Sequence, residues 1–112
     1  MDPIINEITQ RCRSLNVFEQ RHTTDDYLEL VFLSKDIDQW QQALDDIFGA
    51  AQKPGGTKPS REDLALTKEY GKIRRNQILY HKECDSSDVI AMLWPWDGNQ
   101  YVTLKVFVCE KT

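Results

Sequence analysis

Apolar residues follow a helical spacing in the first half of this chain and a strand spacing in the second. Ile5, Ile8, Cys12 and Leu15 fall at i, i+3, i+7 and i+10, one face of a helix over about residues 3–15. Asp2-Pro3 suits its start, because Asp accepts hydrogen bonds from free amides and Pro at the first helical position loses none. Ile37, Trp40, Leu44 and Ile47 repeat the same spacing, with Asp36 placed to cap that helix and Gly49 to end it. Between the two, YLELVFLS at 27–34 is rich in aromatic and aliphatic residues and reads as a strand. Residues 16–26 carry no clear period. A short strand over 17–22 fits Val17 and Phe18, and Thr-Thr-Asp-Asp reads as a turn.

AAQKPGGTKP at 50–59 holds two glycines and two prolines and is a loop. Ser60 and Asp63 have capping-box spacing, so a third helix is expected over about 61–70, with Leu66 and Tyr70 inward and Gly71 ending it. From residue 77 the period changes to two. QILYHKE at 77–83 and VIAMLW at 89–94 flank a polar turn, and Asp97-Gly98 marks a second turn before YVTLKVFVCE at 101–110. In that last strand Val102, Leu104, Val106 and Val108 alternate with Tyr101, Thr103, Lys105 and Phe107. The four aliphatic positions should face Trp40, Leu44 and Ile47.

Short loops make the last three strands an antiparallel meander, and three amphipathic helices must cover an apolar sheet face. The fold class expected is α+β: a two-layer sandwich with a mainly antiparallel sheet and about three helices on one face. At 112 residues the chain fits a single α+β domain over 1–112. Residues 89–94 are apolar on both faces, which suits a strand buried on both sides. With every helix on one layer, the second face needs another cover. A second subunit, making a homodimer, is one solution, and a loop or the N-terminal segment is the other.

Composition narrows the class. The longest apolar run is far short of the roughly 20 residues of a membrane span. MDPIINEITQRC lacks the basic-then-apolar order of a secretory signal. Cys12, Cys84 and Cys109 are odd in number and widely spaced, so reduced thiols in a cytoplasmic protein are expected. The net charge of −4 argues against nucleic acid as partner. That charge is uneven: residues 53–75 carry 7 basic and 3 acidic side chains, a local excess of +4.

Candidate chemistry is thin. Lys53-Pro54-Gly55-Gly56-Thr57-Lys58 resembles a phosphate cradle, yet it lacks P-loop spacing and follows a helix where a P-loop follows a strand. An anion or small-molecule site, or an enzyme, built on the 53–61 loop would use Lys58, Arg61, Arg74 and Arg75. His81 and Cys84 have HxxC spacing but would point to opposite faces of a strand, so no metal site and no cofactor are expected. No nucleophile–base constellation stands out. Trp94-Pro95-Trp96 before the hairpin turn is the most unusual feature, because large amphipathic rings dominate interface energetics. The leading expectation is therefore a non-enzymatic protein-interaction or regulatory module, contacting a partner or a second copy through Trp94, Trp96, Tyr101 and Phe107.

Overall fold

A computed structural model describes residues 3–110. In chain order the elements are α1 (Pro3–Cys12), β1 (Glu19–Thr23), β2 (Tyr27–Leu33), α2 (Ile37–Phe48), α3 (Arg61–Thr67), β3 (Ile78–Glu83), β4 (Ser87–Pro95) and β5 (Tyr101–Glu110). A 3-10 turn precedes α2 at Ser34–Asp36, and another follows α3 at Lys68–Tyr70. The strands form one five-stranded sheet, ordered β1-β2-β5-β4-β3, with every neighbouring pair antiparallel. The α+β class and the carboxy-terminal meander are thus realised. The first long strand, β2, joins the meander along β5, Tyr27 opposite Phe107 and Leu33 opposite Tyr101.

The principal core lies between the sheet and α1 with α2. Val102, Leu104 and Val106 of β5 pack in one cluster with Trp40, Leu44 and Ile47 of α2, as the two periodicities predict. Ile5 and Ile8 join from α1, and Phe32 stacks on Trp40 at 4.7 Å between ring centroids. Burying so many full aliphatic side chains, each contributing about 1.5–3 kcal/mol, is what orders the helices against the sheet.

The helices do not share one face. Alternation along the strands sends Leu79, Ile90, Met92 and Phe107 to the opposite side, where they form a second cluster with Ile73. Leu66 of α3 and Tyr70 of the turn after it pack onto that cluster. The segment 61–73 is therefore the cover of the second face, and two-sided burial explains why β4 is apolar on both sides. The expectation of three helices on one layer is corrected to two on one face and one on the other. The inward roles of Leu66 and Tyr70 stand, but toward this second core.

Local differences have local causes. α1 ends at Cys12, where Arg13, Ser14 and Leu15 each donate to a carbonyl three residues back and tighten the chain into a turn. The Asp2 cap expected for α1 lies outside the described residues. Asp36 makes no side-chain cap bond to α2: the chain enters that helix through a 3-10 turn, and the buried Asp36 Oδ2 has no hydrogen-bond partner. The capping box of α3 is complete, Asp63 N–H donating to Ser60 Oγ at 3.1 Å and Ser60 N–H to Asp63 Oδ2 at 2.9 Å. β1 is the strand left open at 16–26; its register slips between Gln20 and His22, and every residue in it is exposed. Among the described residues no helix is long and apolar enough to cross a membrane.

Candidate functional site

The cover on the second face is short, so it shields only part of the sheet. Tyr70 lies flat on Phe107 with ring centroids 3.7 Å apart, and its ring stands 6.1 Å from that of Tyr27. Gly71 then turns the chain with a φ of +83°, and a Cβ there would stand 2.7 Å from Trp94 Cη2. Only glycine allows the backbone to lie against the indole in that conformation. Ile73 returns the chain to the second core. The rest of this face, where β1, β2 and β5 meet the β4–β5 hairpin, carries no helix.

That uncovered area is aromatic. Phe18, just before β1, packs on Tyr101 at 4.7 Å between centroids, and Tyr101 packs on Trp96 at 5.0 Å. Trp96 is anchored by its indole N–H, which donates to Thr103 Oγ1 at 2.8 Å. Phe18 remains 56% exposed, the largest exposure of any big apolar side chain among the described residues. The hairpin that presents Trp96 is closed by Trp96 N–H to the Tyr101 carbonyl and by Asn99, which takes a positive φ of 58°.

Cations and carboxylates frame the rings. The Arg21 guanidinium sits 5.4 Å from the centroid of Trp96, and the Lys105 ammonium 3.6 Å from that of Trp94. Arg21 also faces Glu19 at 3.4 Å and Glu29 at 3.8 Å. Burial lowers the pKa of Lys105, Arg21 adds to the lowering, and Glu29 opposes both. Tyr27 donates its hydroxyl proton to Glu29; burial first, then this bond and the carboxylate charge raise the phenol pKa. The two cations are thus matched by two carboxylates, and the surface they frame is close to neutral.

Of the four residues expected to contact a partner, Trp96 and Tyr101 share this surface and Trp94 forms its half-buried floor beside Gly71. Phe107 does not belong to it. It is fully buried beneath Tyr70, so of the two covers expected for this face, a second subunit or the chain itself, the chain supplies it here. Phe18, Arg21, Glu29 and Lys105 were not singled out from the sequence. Phe18 carried the one usable signal, an aromatic ring in an otherwise polar segment.

The 53–61 loop has a different architecture from an anion cradle. Lys53 is buried and donates all three ammonium protons to backbone carbonyls: Pro54 at 3.1 Å, Arg75 at 2.9 Å and Gln77 at 2.6 Å. Its own backbone pairs with Leu79 of β3 in both directions. Gly56 N–H, an amide that could face an anion, donates to the Arg75 carbonyl at 2.7 Å. Burial lowers the Lys53 pKa and Arg75 adds to this, while Asp63 opposes it. Lys58, Arg61, Arg74 and Arg75 are all exposed. What joins the loop to residues 75–79 is backbone, and the lysine acts as a staple.

His81 is held on both sides, Nδ1 by Gln52 Oε1 at 3.0 Å and Nε2 by Asp88 Oδ1 at 2.9 Å. Gln52 in turn donates to Asp63 Oδ1 at 2.7 Å, so one polar chain runs from β4 through β3 to the α3 cap. The three cysteines are free and half-buried. Burial pushes the Cys12 thiol up to about 11 and also raises Cys109, where Glu69 and Asp88 add to the effect. Both therefore stay protonated and weakly nucleophilic near neutral pH. Among the described residues no three His, Cys, Asp or Glu side chains gather as a metal site. Comparison with known proteins finds no match: no family model, no curated protein and no solved structure aligns with this chain.

Proposed function

We propose that this chain is a non-enzymatic protein-interaction module whose docking surface is the uncovered part of the second sheet face, centred on Phe18, Tyr101 and Trp96. The observation that carries the reading is the exposed Phe18 ring at the end of a three-ring row held rigid by the sheet and by the Trp96–Thr103 hydrogen bond. Rigid aromatic rings with few rotamers lose little entropy on contact and supply the desolvated centre of an interface. The sheet edges suit docking less well. β1 is short, bulged and wholly polar, and the start of β3 is closed by Lys53. The partner is a protein surface with an apolar centre, because Arg21 and Lys105 already have carboxylates beside them.

The test places a photo-crosslinking residue at position 18, with position 64 as control, since Leu64 is the other exposed large apolar residue and lies on α3. A discrete crosslinked partner at position 18 that is absent at 64, and lost in the Trp96→Ala background, supports the reading. The crosslink should persist from about 0.05 to 0.5 M salt, because neutral aromatic contacts are screened little. Equal crosslinking at both positions, or loss with salt, removes it.

A further inference from the structure

On the other side of the sheet the principal core has an unfilled flank. α1 ends at Cys12 and the chain turns at 13–15, so the helix layer stops before it reaches the edge of the sheet. A cleft of about 230 Å³ is left between the end of α1 and strands β1 and β2. Leu28 and Leu30 line it from the sheet, and Cys12 and Val17 from the helix end and the connection. Leu28 and Leu30 are themselves only 2% and 0% exposed, so the accessible apolar wall of the cleft is Val17 with the Cys12 side chain. For scale, an apolar cavity of about 150 Å³ holds one benzene molecule.

The polar groups at the cleft differ in what they can offer. Thr9 already donates its hydroxyl proton to the Ile5 carbonyl at 2.8 Å. The Gln20 amide N–H points to Thr23 Oγ1. Cys12 is a protonated thiol held neutral by burial. Arg11, next to Cys12 in sequence, is paired with Asp46 at 3.2 Å. Arg13 alone brings an exposed cation to the lining, and its guanidinium forms no ion pair among the described residues. We propose that this cleft is a binding site for a small amphipathic monocarboxylate, its apolar body against Val17 and Cys12 above the buried Leu28 and Leu30 and its carboxylate on Arg13. The volume, half again that of a cavity that holds benzene, admits an apolar body of about five to eight carbons. The planar guanidinium fork matches a carboxylate in a way a lysine would not.

Hexanoate is the probe, titrated into isotope-labelled protein and followed by amide chemical shifts, with 1-hexanol and acetate as partial mimics. Saturable shifts confined to the lining, Thr9, Cys12, Arg13, Val17, Leu28 and Leu30, are expected, with a dissociation constant on the order of 1 mM for so small a ligand. Acetate should produce none. Arg13→Gln should weaken hexanoate about tenfold, the value of a charge-assisted bond, and leave 1-hexanol unchanged. Val17→Trp, at a half-buried position outside the helices and strands, should fill the space and abolish both. Non-saturating shifts, shifts scattered over the surface, or equal hexanoate affinity in wild type and Arg13→Gln would each overturn the proposal. The cleft lies across the sheet from Phe18, so its failure leaves the docking surface untouched.

Discussion

Lys53 is the residue whose chemistry the sequence concealed most completely. In a loop with two glycines and a second lysine, a cation reads as exposed, and nothing in its neighbours announces three carbonyl acceptors. Those acceptors come from Pro54, Arg75 and Gln77, so two of the three are separated from it by more than twenty residues. No local pattern encodes such a contact. Lys53→Met keeps most of the stem but leaves those carbonyls without their donor, and should destabilise the fold by about 2–4 kcal/mol in urea titration. A loss under about 0.5 kcal/mol, the size of an ordinary surface change, would show that the staple is dispensable. Gly71 is the reverse case, a residue read correctly as an end and incompletely as a contact. Gly71→Ala places a methyl within 2.7 Å of Trp94 at a φ of +83°. Strain of this kind costs on the order of 1–3 kcal/mol, visible as a lowered melting temperature and a shifted Trp94 indole resonance. Trp96 and Tyr101 were legible as surface aromatics because alternation fixed their face. Arg21 was not, because the bulge in β1 removes the alternation that would have placed it.

At the scale of elements, the bounds and inward faces of α2 and β5 were legible because each is long and strictly periodic, although the Asp36 cap and the surface role of Phe107 were not borne out. The capping box marks α3 as a helix, but amphipathicity alone puts it on the same face as α1 and α2, whereas it takes the other. That choice depends on the route of the 50–59 loop, which Lys53 and Leu79 set through long-range bonds. The cap itself makes a pH-dependent prediction. Burial raises the Asp63 pKa, yet hydrogen bonds from Ser60 and Gln52, helped by the Lys53 charge, outweigh it and leave the carboxyl below its ordinary 3.8. A carboxylate depressed in the folded state adds stability that is present above its unfolded pKa and lost as pH falls through the folded one. Wild type should therefore exceed Asp63→Asn in stability at about pH 6, and the gap should narrow steadily below about pH 4. Paired denaturant titrations at several pH values measure it. A gap that stays constant down to about pH 2 would mean that the charge on Asp63 contributes nothing.

For the whole molecule the decisive feature is a sheet with a core on each side, one large and one small. The sequence showed that β4 needed burial twice, and it left a second subunit and the chain itself as equal candidates for the cover. Tyr70 decides between them. Its ring lies 3.7 Å from Phe107, and Phe107 is fully buried without any partner chain. Phe107→Asp should accordingly not separate a dimer; it would bury an uncompensated carboxylate between Tyr70 and the sheet and unfold the chain or nearly so. Tyr70→Ala is the gentler probe. It removes the lid over Phe107 while leaving Trp40, Leu44 and Leu104 in the principal core untouched. Loss of a stacked aromatic should cost about 3–5 kcal/mol at a closed site, and less here because Tyr70 is only half-buried. The variant should keep its circular dichroism, expose the β4 and β5 amides near Ile90 and Phe107 to faster hydrogen exchange, and sediment as a larger species as concentration rises. Self-association follows because an uncovered apolar sheet face finds its own copy. Leu104→Ala, by contrast, should lower global stability by about 2–5 kcal/mol and speed exchange everywhere together. If Tyr70→Ala instead matched Leu104→Ala, with uniform exchange and no association, the two clusters would be one cooperative unit. The segment 61–73 could then no longer be treated as a separable lid.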